Sequence, residues 1–227
     1  MMLLLWSAWA GMLFGGFAFG QLNSTQTHRI PTPLRMGSSA MLVLAAWFYH
    51  LSQPEVLHFW LAVGMSLGFL GDLFMAGLLI KGDRRVLGGM SAFGLGHIAY
   101  ITGLLNHNSL MTNDRWVILG IWWILAVVLW YWVVLRGAHG TPNILHYAAL
   151  PYALLLASTT GVASGLAITE SAFILLTIGT ILFLLSDLLL AAELFNGLHF
   201  KGIGDAVWLM YGPGQMLIVF ALYIASL

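Results

Sequence analysis

Residues 66–79 read SLGFLGDLFMAGLL, an aspartate, Asp72, set among glycines, leucines and phenylalanines. An ionisable side chain at bilayer depth costs on the order of 2.5–3.5 kcal/mol on insertion scales, so it is kept only with a partner or a task. The pattern returns at Asp187 in LFLLSDLLLAAELF, residues 182–195. Shifted by 115 residues, 64–78 (GMSLGFLGDLFMAGL) lies over 179–193 (GTILFLLSDLLLAAE), with identities at Gly64, Leu67, Leu70, Asp72, Leu73 and Ala76. Leucine matches are cheap in so apolar a chain. The shared acid and the small residue before it, Gly71 or Ser186, carry the comparison.

The solvent around these acids follows from composition. Of 227 residues, 60% are hydrophobic and 7% charged, and the mean hydropathy is +0.92. Such a chain is an integral membrane protein rather than a water-soluble domain. The formal net charge is zero and no run of like charges points to nucleic acid. There is no cysteine, which removes disulfides, thiolate metal sites and a cysteine nucleophile. The histidines lack metal-ligand spacing, and neither a phosphate-binding glycine loop nor a nucleophile elbow is present, so no cofactor and no metal are expected.

Runs long enough to cross about 30 Å of hydrocarbon fall at 2–22, 34–51, 57–80, 86–106, 116–136, 143–167, 171–195 and 204–226. They are continuous rather than alternating, and lipid offers the backbone no hydrogen bonds, so they are helices and not barrel strands. The expectation is an all-α polytopic membrane protein, one transmembrane domain over 1–227 with eight helices. The first run lacks a basic start and is too long for a signal peptide, so it is expected to stay as a helix. A shift of four helices preserves direction, which makes the 115-residue relation a parallel repeat of two four-helix halves. Chance similarity among apolar helices is the competing reading.

Arg29, Arg35, Lys81, Arg84, Arg85, Arg136 and Lys201 fall in odd-numbered loops or at their edges, and Arg115 alone in an even-numbered one. The positive-inside rule then puts the odd loops in the cytoplasm and both termini outside. Asp72 and Asp187 come to one depth, in the cytoplasmic half. Their repeat relation predicts that they face a common cavity.

Gly64, Gly68 and Asp72 recur at i, i+4 and i+8, so small residues share the acid's stripe and turn it to the bundle interior. The fourth helix brings His97 and Tyr100 at i, i+3, and the eighth brings Tyr211 and Gln215 at i, i+4; Tyr100 maps onto Gln215 under the shift. These groups converge on one site, though His97 reads equally as a packing histidine, and Tyr211 and Gln215 equally as glue between helices. His146 is expected at the interface. Trp122, Trp123, Trp130 and Trp132 suit belts and lipid-facing packing, while Glu170, Glu193 and Asp205 lie near helix ends within reach of water.

SLGFLGDLFMAGLL, GGMSAFGLGHIAYITGL (88–104), GTILFLLSDLLLAAELF (179–195) and YGPGQMLIVFAL (211–222) together resemble the YhhN family, which includes the animal lysoplasmalogenases. The resemblance runs from the second helix to the C-terminus. It implies an eight-helix enzyme that hydrolyses the vinyl ether bond of lysoplasmalogens, a class of lysophospholipid, to a fatty aldehyde and a glycerophospho-alcohol. By motif it makes Asp72 and Asp187 the catalytic candidates, with His97, Tyr100, Tyr211 and Gln215 around them. Where the family opens its second helix with Lys-Pro-Leu, this chain reads TPLRM (32–36), which moves the basic residue that would meet the substrate phosphate to Arg35. Pro213 stands between Tyr211 and Gln215 and bears on how both face the site.

Carboxylate chemistry suits that reaction independently. Protonation of a vinyl ether carbon gives an oxocarbenium ion, as in glycoside cleavage, where one acid donates and a second carboxylate stabilises the cation or activates water. Two acids in one low-dielectric site do not both ionise cheaply, so one keeps its proton. The heavier leucine surround assigns that role to Asp187 and the charge to Asp72. The alternative is a proton-coupled carrier, since paired intramembrane acids, repeats and helix prolines serve transporters equally.

Overall fold

A computed structural model describes residues 1–82, 84–137 and 141–225. Eight helices follow one another: α1 Met2–Phe19, α2 Thr32–Ser52, α3 Val56–Met75, α4 Arg84–His107, α5 Asn113–Leu135, α6 Ile144–Ala167, α7 Phe173–Asn196 and α8 Ile203–Ala225. The described residues contain no strand. The all-α polytopic expectation holds: six of the eight helices are long and apolar enough to cross a membrane. The other two, α2 and α4, carry the polar cargo, including Arg35, Ser38 and Ser39 on α2 and five glycines with His97 and His107 on α4.

Most boundaries move by one to five residues, two of them for reasons visible in the backbone. Helix α3 stops at Met75 rather than 80, because Gly77 takes φ +71°. The Gly77 amide donates to Phe74 O (2.9 Å) and the Leu78 amide to Leu73 O (3.1 Å), the paired bonds of a Schellman stop. Helix α6 begins after Asn143, whose Oδ1 accepts from the Leu145 amide (3.0 Å), while His146 Nδ1 accepts from the Asn143 amide (3.1 Å). His146 is therefore part of a helix cap. Residue 226, expected to end the last helix, lies outside the described residues, as do residues 83 and 138–140 of the expected third and fifth loops.

Packing in one half is matched in the other. Within the halves α1 meets α2 as α5 meets α6, α2 meets α3 as α6 meets α7, and the closest-packed pairs are α3 with α4 and α7 with α8. Across the halves α4 packs on α6, and α8 packs on α2. The glycine matched by the shift offers its carbonyl to a close neighbour in both halves. A Cβ on Gly96 would lie 3.0 Å from Gly64 O, and one on Gly214 would lie 2.9 Å from Gly179 O, so each pair of helices meets backbone to backbone.

Asp205 is a correction. It sits at the start of α8 but is only 1% exposed, not solvated. Its carboxylate accepts the Arg29 amide (2.6 Å) and the Ile30 amide (3.0 Å), clasping the first loop to the last helix. The tryptophans of α5 divide: Trp132 is 52% exposed, whereas Trp130 turns inward and donates to His146 O at 2.8 Å.

Candidate functional site

Asp72, at the end of α3 nearest the odd loops, is buried, and two hydroxyls reach its Oδ2. Ser39 donates at 2.5 Å from α2, and Tyr211 at 3.0 Å from α8. Tyr211 oxygen accepts from Gln215 Nε2 (3.3 Å), and Gln215 Oε1 accepts from Tyr100 (2.7 Å). Every donor in this chain points toward the aspartate. Because the Tyr211 proton goes to Asp72, its oxygen is left to accept, which fixes the Gln215 amide with Nε2 toward Tyr211; the reversed amide would set one acceptor oxygen against another. Tyr100 and Gln215, mates under the 115-residue shift, thus bond to each other where the halves meet.

The glycine stripe of α3 explains how so many large groups fit. A Cβ at Gly68 would lie 2.6 Å from Gln215 Nε2, one at Gly71 would meet the Phe93 ring, and one at Gly64 would meet the ring of Tyr100. The stripe brings α4 close at Gly64. Its further glycines are slots for the side chains that build the site.

Asp187 has a different setting. It is only partly buried, because it borders a cavity of about 110 Å³ among α4, α5, α6 and α7. Tyr152 of α6 lines the same cavity and donates its hydroxyl to Asp187 Oδ2. The remaining walls are hydrocarbon and aromatic, among them Phe93, Met90, Leu156, Val134 and Leu190. Trp130, Val133 and Val134 come from a π-helical stretch, Trp130–Leu135, at the end of α5. Such a stretch widens the turn and commonly marks a functional wall.

Phe93 touches the surroundings of both acids. One side of its ring lines the cavity, and it also packs against Tyr211 and Phe183, each at 5.9 Å between centroids. Asp72 is outside the cavity wall, yet within electrostatic reach of Asp187. The acids share a field, but not a common cavity surface.

The other candidates scatter around this frame. His97 Nδ1 lies 2.9 Å from Thr159 Oγ1, and that hydroxyl donates to Leu155 O (3.1 Å), so Nδ1 carries the proton. Nε2 is buried without a partner among the described residues, and the ring stands edge-on to Phe183 at 4.7 Å. His97 therefore supports Tyr100 and Phe183 from behind. Arg35 bonds Thr32 Oγ1 (2.9 Å) and places its guanidinium 5.6 Å from the Trp208 ring centroid, within electrostatic reach of Asp205 and Asp72 but off the cavity.

Sequence reasoning missed Ser39, Tyr152 and Thr159. Ser39 and Tyr152 occupy helices related by the repeat, α2 and α6, and each gives its hydroxyl to the aspartate of the next helix. Their registers differ by two residues from the 115-residue shift, so aligning the acids does not align their donors.

Comparison with protein families matches residues 34–222 to the YhhN family, and the chain belongs to it. No curated protein matches the chain, and no solved structure does.

Proposed function

We propose that this YhhN-family protein is a membrane-embedded hydrolase that cleaves the vinyl ether bond of a lysoplasmalogen. The observation that carries the reading is a carboxyl group, Asp187, held by Tyr152 on the wall of an otherwise apolar cavity, with a second buried carboxylate, Asp72, in its field. A hydrocarbon chain fits such walls, and Asp187 and Tyr152 are the only ionisable groups among the described residues that line them.

In this reading the Tyr152 hydroxyl occupies Asp187 Oδ2 and leaves Oδ1 to carry the proton into the cavity. Asp187 transfers it to the vinyl carbon remote from the ether oxygen, forming a C–H bond and an oxocarbenium ion. The ionised Asp72, held by Ser39 and Tyr211, stabilises that cation through space. Water adds to the carbon bearing the oxygen and yields its proton to the Asp187 carboxylate. The hemiacetal then breaks the C–O bond to glycerol, its hydroxyl losing a proton as the departing oxygen gains one, and gives the fatty aldehyde and the glycerophospho-alcohol. Proton transfer by a positioned acid contributes about 10²–10⁴-fold.

The test is aldehyde release from a lysoplasmenyl-ethanolamine by the purified protein in detergent, where no gradient exists. Turnover by the parent and a loss of at least ~10²-fold in Asp187→Asn support the hydrolase. An inert parent that instead couples solute uptake to a proton gradient in vesicles establishes the carrier.

A further inference from the structure

A second concavity lies away from Asp72 and Asp187, where α1 ends, the first loop returns and α8 begins. It has a volume of about 360 Å³ and carries Arg29 and Lys201 above Phe17, Leu22 and Leu209. The two cations come from opposite ends of the chain and are held in register by clips between their loops. Gly202 donates to Gln26 O (2.9 Å), Gly204 donates to Thr27 O (2.9 Å), and Asp205 accepts the Arg29 and Ile30 amides. The guanidinium of Arg29 sits 5.7 Å from the Phe17 ring centroid, which braces it over the apolar floor.

Among the described residues neither cation forms an ion pair. The one carboxylate in the concavity, Asp205, is 1% exposed and committed to backbone amides, so it does not neutralise them. The concavity lies at the ends of α1 and α8, the depth of lipid head groups, with charge on one side and hydrocarbon on the other. That arrangement matches an anionic phosphate joined to an acyl chain.

We propose that this concavity binds the phosphate of an anionic phospholipid, Arg29 and Lys201 pairing with the phosphate oxygens and Phe17, Leu22 and Leu209 receiving the first segment of an acyl chain. The bound lipid ties the first loop to α8 about two turns before Tyr211, and so braces the helix whose tyrosine bonds Asp72. The site is distinct from the apolar cavity at Asp187 and does not depend on the hydrolase reading.

The experiment is a melting curve of the purified full chain in neutral detergent, with added phosphatidylglycerol, phosphatidylcholine or inorganic phosphate. Phosphatidylglycerol at saturation is expected to raise the melting temperature by ~5 °C, and phosphatidylcholine by much less. Arg29→Gln with Lys201→Gln abolishes the rise, while Lys81→Gln with Arg84→Gln, cations outside the concavity, leaves it. Inorganic phosphate matching the lipid assigns the same cations to soluble phosphate rather than a head group. If the double variant is not monodisperse, Lys201→Gln alone at an exposed position serves, with the rise at least halved. A rise equal in parent and cleft variants, or lost only in the third-loop variant, overturns the site.

Discussion

Ser39→Ala reads the charge on Asp72. The serine hydroxyl is 2% exposed and donates at 2.5 Å to a carboxylate that is 3% exposed, with Tyr211 as the second donor to the same oxygen. A hydrogen bond to a charged group is worth roughly 1.5–3 kcal/mol. Neutral side-chain bonds between helices in a membrane bundle average about 0.6 kcal/mol. If Asp72 is the ionised partner, Ser39→Ala costs ~2 kcal/mol in the parent but ~0.6 kcal/mol in an Asp72→Asn background, where an amide oxygen accepts the same bond. The coupling of about 1.4 kcal/mol is well above the ~0.3–0.5 kcal/mol within which independent changes add. The assay is a double-mutant cycle on Ser39→Ala and Asp72→Asn, with stability measured by reversible unfolding in mixed micelles. Equal costs in both backgrounds refute an ionised Asp72, and with it the division of roles between the two acids.

Ala153→Phe, which projects a ring into the apolar cavity, is expected to cut turnover on a long-chain vinyl ether at least ~10-fold while changing stability by no more than the ~1–3 kcal/mol of overpacking, read from kinetics and melting in parallel. Gly64→Ala drives a methyl into the Tyr100 ring and against α4, and is expected to lower stability by ~1–3 kcal/mol, checked by the same unfolding assay. His28, in the first loop, has its pKa lowered to about 4 by burial first and then by Arg35, opposed by Asp205. The folded state therefore resists a proton that the unfolded chain accepts near 6.5, so this residue's contribution is lost as pH falls from about 6.5 and is fully gone below about 4. Melting curves across that range are expected to be flatter in His28→Gln than in the parent.

Membrane residence, the helical class and eight segments follow from sequence alone, because lipid forces every backbone group to be satisfied within its own helix and so makes a long apolar run nearly unambiguous. The places of Asp72 near the end of α3 and of Asp187 within α7 were legible for the same reason: once the helices are delimited, position along each is read directly from the sequence. Even the Tyr100–Gln215 contact was foreshadowed, since repeat mates near a pseudo-axis approach each other. Which face of Asp72 met which hydroxyl was not legible. Ser39 and Tyr152 are unremarkable polar letters in apolar helices, and their approach depends on how far α2 and α6 slide against α3 and α7, a register no single helix encodes. The same sliding seats Phe93 in the slot left by Gly71, and leaves Asp187 on the cavity wall and Asp72 off it. Asp205 shows the limit from the other side: a helix-end carboxylate looks solvated until the first loop, 175 residues away, folds over it and donates the Ile30 amide. Sequence determined which helices carry the polar groups and where along each helix they sit; packing between helices decided which buried groups touch, because side-chain contact distances are set by relative rotation and translation that apolar surfaces specify only collectively.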